Sequence, residues 1–250
     1  MKKILIIFII LIISFPLFAK RKTKEVRCQQ RMETGIEAFN KGRYSNAVSH
    51  LSIIRNECIG EFDTPDSIYY FLGLSYMKGK KPEDARMEFR TIVEEYPHSE
   101  FIENTYYLIA LCSYQAAPII QRDNRLLRRA EREFSAFISG YPSSELTDSA
   151  RIYLNMITDK LLEKEMLAAE FYEIINKYES AVIYYQTMLE EYTGSERIPE
   201  INLKLAKNLI AANRFSEALA IIERLENEDL FVNEIDVLRK RINTRQQQKR

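Results

Sequence analysis

The sequence predicts an all-α fold, a superhelix of about five helical hairpins closed by a C-terminal capping helix, on three observations. In the stretch from Asp66 to Pro97, Tyr69, Leu72-Gly73, Tyr76, Ala85, Phe89 and Pro97 stand at the spacing of the tetratricopeptide repeat, with Tyr at the usual Trp position. The spacing recurs: twelve residues separate Gly73 from Ala85, and the same interval joins Gly35 to Ala47, Ala169 to Ala181 and Ala206 to Ala218. Punctuation recurs too. Tyr96-Pro97-His98-Ser99 and Tyr141-Pro142-Ser143-Ser144 are near-copies, and Tyr192-Thr193-Gly194-Ser195 is a degenerate third. Each connector stops one helix and offers a hydroxyl to start the next.

Each repeated position has a physical reason. Tyr69, Leu72 and Tyr76 fall on one helical stripe, and Gly73 lets the paired helix come close. Ala85 is the small residue on the facing helix, with Phe89 one turn further along the same face. An aromatic, Tyr44, Tyr178 or Phe215, stands three residues before the second small residue of its hairpin. One hairpin cannot bury its apolar face alone, so consecutive units are expected to stack.

In chain order, Lys2 and Lys3 precede an apolar run from Ile4 to Ile13, then Ser14, Pro16 and Ala19. This is the pattern of a secretory signal, expected over residues 1–19 with cleavage after Ala19; the alternative is an uncleaved anchor. The run is short for a spanning helix, which needs about 20 apolar residues. Residues 20–27 read as a basic linker and 28–242 as the repeat solenoid. The first hairpin uses Arg31 to Lys41, a turn at Gly42, and Tyr44 to Asn56; Thr64-Pro65 opens the second as N-cap and first-turn proline. The third has Tyr107, Leu111 and Tyr114 on its first helix and Ala130, Phe134, Phe137 and Pro142 on its second, separated by an insertion from Gln115 to Arg125. From Leu146 toward Lys177 the pattern is too long for one repeat helix and predicts an extra helix, Leu146 to Leu162, before the fourth hairpin. The fifth covers Ile201 to Leu225, Leu230 to Ile242 caps the solenoid, and residues 243–250 form a polar tail.

Composition excludes several functions. Basic and acidic residues number 36 each, so no global field draws the chain to nucleic acid or membrane. The two histidines, His50 and His98, lack metal-ligand spacing, and no phosphate loop or nucleophile elbow is present. Neither enzyme activity nor a cofactor is expected. Glu163, Glu170 and Glu173 at helical spacing read as a solvated face. Arg125, Arg128, Arg129 and Arg132 share one face, either a solvated stripe or a docking patch for an acidic partner. Export permits disulfides. Cys28 opens the first helix of hairpin one and Cys58 ends its second, so the two ends are neighbours; the alternatives are a Cys28–Cys58 bridge or three unpaired thiols, with Cys112 buried in either case.

The connecting repeats carry a more specific likeness. Arg122-Asp123, Ala130-x₃-Phe134, Tyr141-Pro142-x-Ser144, Leu161-x₃-Glu165, Phe171-Tyr172 and Tyr178-x-x-Ala181-Val182 resemble the BamD family over about residues 29–226. The resemblance implies a five-repeat periplasmic component of the machinery that assembles outer-membrane β-barrels. It also implies a BamA-like POTRA-containing partner, unfolded barrel clients, no nucleic acid, and peripheral attachment to the outer membrane through partners. That family is usually lipid-anchored, and no Cys stands where a lipoprotein signal places one, since Cys28 lies too far downstream.

A second apolar stripe lies beside the core stripe. Tyr70, Leu74 and Met77 each follow a core position by one residue, and Met32, Ile36 and Phe39 are their equivalents in hairpin one. In tetratricopeptide folds this face lines the concave groove, so these six residues are the expected peptide-binding groove unless another segment covers them. Hairpin four offers Met166, Glu170 and Glu173 there, and hairpin five Leu203, Lys207 and Ile210. The expected role is a non-catalytic scaffold of barrel assembly. The alternatives are a periplasmic repeat adaptor resembling CpoB of the Tol system, or an accessory subunit of an envelope enzyme acting on peptidoglycan.

Overall fold

A computed structural model of the chain describes residues 23–117 and 124–248. The expected signal sequence and residues 118–123 of the third hairpin's insertion lie outside the described residues. All regular structure in the described residues is helical: α1 (23–40), α2 (Tyr44–Glu57), a 3₁₀ turn (Ile59–Glu61), α3 (Asp66–Lys78), α4 (Pro82–Glu95), α5 (Ile102–Ala116), α6 (Arg125–Gly140), α7 (Thr147–Ile174), α8 (Tyr178–Glu191), α9 (Ile198–Ala211), α10 (Phe215–Asn227) and α11 (Val232–Gln248). Ten of these make five antiparallel hairpins in sequence order, with α11 last. The fold is that of a tetratricopeptide-repeat protein.

The chain divides into two units, one ending at Arg151 and the other starting at Ile152. Within the first, α2, α3, α4, α5 and α6 pack each against the next; within the second, α8, α9 and α10 do the same and α11 lies on α9 and α10. This nearest-neighbour packing is what one-dimensional repeat stacking requires.

Four of the five hairpins turn by one device. Gly42, Lys80, Asn176 and Asn213 take positive φ (70°, 60°, 57° and 65°) immediately after a first helix. The next amide reaches back to the helix: Arg43 N–H to Ala38 C=O, Lys81 to Tyr76, Lys177 to Tyr172, and Arg214 to Leu209, at 2.8–2.9 Å. These are Schellman closures, which satisfy carbonyls a helix end leaves open. The third hairpin, with its insertion, is the exception.

The connectors also act as staples between repeats. Ser99, Ser144 and Ser195 hydroxyls accept from the backbone N–H two residues on, at 3.1–3.2 Å, holding the entry to α5, α7 and α9. Ser99 donates to Asp66 in the first turn of α3, and Ser144 to Glu103 in the first turn of α5. A carboxylate there also faces the positive end of its own helix. At α3 itself Pro65 occupies the N-cap position and Thr64 makes no capping bond, contrary to expectation; Asp66 receives the Ser67 N–H instead.

Phe89 explains why the second hairpin tolerates nothing larger than Gly73 there. A Cβ on it would lie 2.6 Å from Cε1 of Phe89, a ring with no exposed surface. Gly73→Ala should therefore lose stability despite the gain of about 1 kcal/mol in helix propensity. Overpacking a filled core costs about 1–3 kcal/mol, so a net loss of about 1 kcal/mol is expected as a lower midpoint in urea unfolding. A midpoint equal to or above wild type would show that Phe89 moves aside freely.

Four boundaries differ from the sequence reading. The region read as the 20–27 linker is helical from residue 23, because α1 extends one and a half turns before Cys28 and Lys24 pairs with Glu61 at 3.1 Å. The separate helix expected at Leu146 to Leu162 does not exist as such: Thr147–Ile174 is one uninterrupted helix of 28 residues. Nothing in this stretch breaks it, since it contains neither Gly nor Pro. The cap starts at Val232 rather than Leu230, since Phe231 at positive φ precedes it. The cap also outruns Ile242, so the tail read at 243–250 is helical through Gln248, held where Arg245 donates to the carbonyls of Ile210 and Ala211.

Candidate peptide-binding face

Each first helix presents two adjacent stripes. On α3 the core stripe supplies Ile68 and Leu72, which join Ala47, Leu51 and Ile54 of α2 in one buried cluster. The adjacent stripe carries Ile36 and Phe39 of α1 and Tyr70, Leu74 and Met77 of α3, all part-exposed. Met32 departs from expectation: it is 9% exposed and belongs to the core cluster beside Cys28 and Cys58, because the covalent tie draws this end of α1 inward. Of the six residues expected to form a groove, five are part-exposed and Met32 lies in the core.

Aromatic packing stiffens this face. Phe39 meets Phe71 edge-on with centroids 6.1 Å apart, Phe71 meets Tyr70 at 5.9 Å, and Tyr70 stacks on Phe101 at 4.3 Å and 15°. Burial raises the Tyr70 hydroxyl above the ordinary tyrosine value. Phe71 and Phe101 were absent from the expected site. Phe101, two residues after the Ser99 cap, enters because the connector lays it across α3, and a period-based reading of α3 alone misses it.

In the second unit the equivalent positions are filled. Met166, Leu203 and Ile210 are buried. Glu170 pairs with Lys204 at 2.7 Å, and Glu173 accepts from the Tyr185 hydroxyl at 2.7 Å and from Asn208 Nδ2 at 2.6 Å. Tyr185 is fully buried, and burial together with the Glu173 bond holds its hydroxyl protonated well above the usual range. Glu170 and Glu173 are therefore interhelical ties joining α7, α8 and α9, not the solvated face expected of them; Glu163 is exposed as expected. Of the three residues of hairpin five, only Lys207 remains exposed.

The arginine patch is also partly internal. Arg129 donates to Ser113 at 3.0 Å and to Glu83 at 2.7 Å, while Arg86 reaches the same Ser113 and pairs with Glu133 at 2.5 Å. Arg128 donates to Glu131 at 3.3 Å. Arg86 and Arg129 tie α4, α5 and α6 together because their partners lie on neighbouring helices, while Arg128 pairs within α6; Arg125 and Arg132 are the exposed members. Beside this network Cys112 is fully buried, and burial pushes its thiol up to about 12. Among the described residues no group of His, Cys, Asp and Glu is arranged to hold a metal ion, and no helix is long and apolar enough to cross a membrane.

With this geometry in hand, comparison with known proteins is decisive at the level of the family. The profile described as "YfiO: Outer membrane lipoprotein" matches residues 24–225, from the first turn of α1 to the end of the fifth hairpin's core. The chain belongs to the YfiO outer membrane lipoprotein family. A curated relative within reach is the outer membrane protein assembly factor BamD of Caulobacter vibrioides, 20% identical over 186 residues, which are 74% of this chain. The chain spans 60% of the length of that relative. Among solved structures, MamA is similar with a TM-score of 0.41 at 16% identity, covering 82% of this chain and 92% of that one. A thermophilic TPR protein of Thermus thermophilus is similar with a TM-score of 0.38 at 17% identity, covering 86% and 98%. The matched span runs along the five hairpins and ends before α11.

Proposed function

We propose that this YfiO-family chain is a non-catalytic scaffold for assembling β-barrel proteins in the outer membrane, exported and working at the membrane's periplasmic face. In this reading it holds a BamA-like POTRA-containing barrel protein and receives unfolded barrel clients, and it associates with the membrane peripherally through those partners. The family match along residues 24–225 carries the reading. The part-exposed stripe of the first two hairpins supports a client site. Ile36, Phe39, Tyr70, Leu74 and Met77 leave apolar surface open in two successive repeats, which costs solubility unless a partner covers it. An extended strand with an apolar residue at every second position, about 7 Å apart, matches a row of side chains one or two helical turns apart. A barrel's C-terminal strand has that pattern. Arg43 and Lys78 flank the stripe as exposed cations.

Two measurements test this. Affinity purification from envelope membranes should recover a barrel protein with POTRA domains; a Tol-system partner or a wall enzyme in its place removes the assembly role. Binding of a barrel C-terminal strand peptide should weaken about tenfold or more in Tyr70→Ala/Leu74→Ala, since two buried anchors are lost. Equal affinity in wild type and variant, both folded by circular dichroism, removes the client site and leaves the scaffold.

A further inference from the structure

The long helix α7 is apolar on two sides. Leu161, Leu162 and Met166 are buried on one, while Ile152, Met156, Leu167, Phe171 and Ile174 stand 42–78% exposed on the other. Among the described residues no other helix leaves more than two large apolar side chains so exposed. At helical spacing the five fall within an arc of about 100°, and Lys160 and Glu163 fill the interval between Met156 and Leu167 on that same arc. Glu163 is exposed and Lys160 part-exposed. The row runs about 33 Å along the helix, and all of it belongs to the second unit. A helix apolar on opposite faces is one that is covered on both, and an open row of this length costs solubility until something lies on it.

The order of side chains along the row specifies the occupant. Ile152 and Phe171 lie equally far on either side of the Leu161–Leu162 peptide bond, as do Met156 and Leu167, and Lys160 and Glu163. A two-fold axis at that midpoint therefore lays α7 antiparallel on the α7 of a second copy with every position matched. Met156 meets Leu167, Ile152 meets Phe171 and Lys160 meets Glu163, each contact being made twice, which is the relation an isologous interface requires. Parallel pairing would set Lys160 on Lys160 and Glu163 on Glu163, and a slip of one turn would set Lys160 on Leu167. Both alternatives carry a penalty that the antiparallel register lacks. A lipid surface would accept the apolar ends of the row but would draw the central Lys160 and Glu163 out of water. A chemically different protein would not need the row to match its own reverse.

We propose that this face of α7 is a homodimer interface, in which two copies pair antiparallel about the Leu161–Leu162 midpoint. One helix pair lies at the small end of specific interfaces, below about 1,200 Å² in total, so monomer and dimer exchange at micromolar concentration. The proposal uses neither the Ile36, Phe39, Tyr70, Leu74 and Met77 stripe nor the barrel-assembly reading.

Sedimentation velocity of the purified protein should show its mass approaching twice that of one chain as the concentration rises through the micromolar range. Glu163→Lys alone and Lys160→Glu alone should each weaken the dimer about tenfold or more, because four like charges then meet at its centre. An equal mixture of these two variants should dimerise again at wild-type strength, since one copy then presents only cations and the other only anions. Recovery on mixing requires contact between copies and cannot come from a change within either chain. Leu167→Asp, at an exposed position, should abolish the dimer with the circular dichroism spectrum unchanged. A protein that stays monomeric throughout overturns the proposal, as does a dimer that survives Leu167→Asp and both charge reversals, or a mixture of folded variants that does not recover. With the purified protein monomeric, a photo-crosslinking residue at position 167 that captures a different envelope protein overturns it in favour of a heterologous partner. Binding to phosphatidylethanolamine–phosphatidylglycerol vesicles that is lost in Leu167→Asp, again without a dimer, overturns it in favour of a lipid surface.

Discussion

Cys28→Ser/Cys58→Ser should lower the stability of the first hairpin by about 3–4 kcal/mol, the entropy of an open loop of this length in the unfolded chain. The bridge joins α1 to the end of α2 with Cα atoms 5.9 Å apart and a sequence separation of 30. Both cysteines lie in the buried cluster with Met32, Leu51, Ile54, Ile68 and Leu72. A terminal repeat has a neighbour on one side only, so the covalent tie supports the unit that stacking supports least. Urea unfolding of the oxidised protein with and without dithiothreitol reads the difference. A thiol count should find no reactive thiol in the native protein and one after unfolding, because Cys112 is buried and its pKa lies at about 12. Two additional free thiols in a non-reducing peptide map of exported protein would remove the bridge and its stabilisation.

The second large effect is electrostatic. Glu88 of α4 lies buried against Arg55 of α2, and the two form an ion pair between the first and second hairpins. Burial raises the Glu88 carboxyl above its ordinary value, outweighing the opposing pull of Arg55. Arg55→Met removes that pull and leaves a buried carboxylate with nothing beside it, a loss of about 3 kcal/mol at neutral pH. The pH dependence has a definite sign. A carboxyl whose folded pKa is raised binds its proton more tightly when folded, so stability falls as pH rises from the unfolded value near 4.5 through the folded one. Wild type and Arg55→Met should therefore differ little near pH 4 and most near pH 7. Arg55→Met/Glu88→Leu should recover most of the loss, since a buried pair replaced by apolar groups is often neutral. A deficit that is the same at both pH values would assign the effect to the packing of the arginine stem instead.

The repeat architecture was legible because its signals are local. Gly73 and Ala85, Gly35 and Ala47, and the Tyr-Pro-x-Ser connectors each act within a hairpin or at its ends, where 3.6-residue periodicity and helix punctuation operate. The Cys28 and Cys58 positions, at the two adjacent ends of one hairpin, belong to the same class. The turn at Gly42 was readable from composition; Lys80, which takes the same positive φ, was not, since the Schellman closure by Lys81 imposes it against the residue's preference.

Which side chains of the inner stripe stay open to a ligand was decided elsewhere. Glu173 became an interhelical tie because Asn208, 35 residues on, faces it. Glu170 met Lys204 at a separation of 34, Arg86 met Glu133 at 47, and Tyr70 was covered by Phe101 from the next connector. Met32 followed the disulfide into the core. Sequence alone determined five hairpins, their small-residue contacts and their stops, because each rests on neighbours within one or two turns or one short loop. Tertiary structure alone decided the division between an open stripe in hairpins one and two and a filled one in four and five. That division depends on what the adjacent repeat brings against each helix, and single-helix periodicity contains no information about the chemistry of the facing surface.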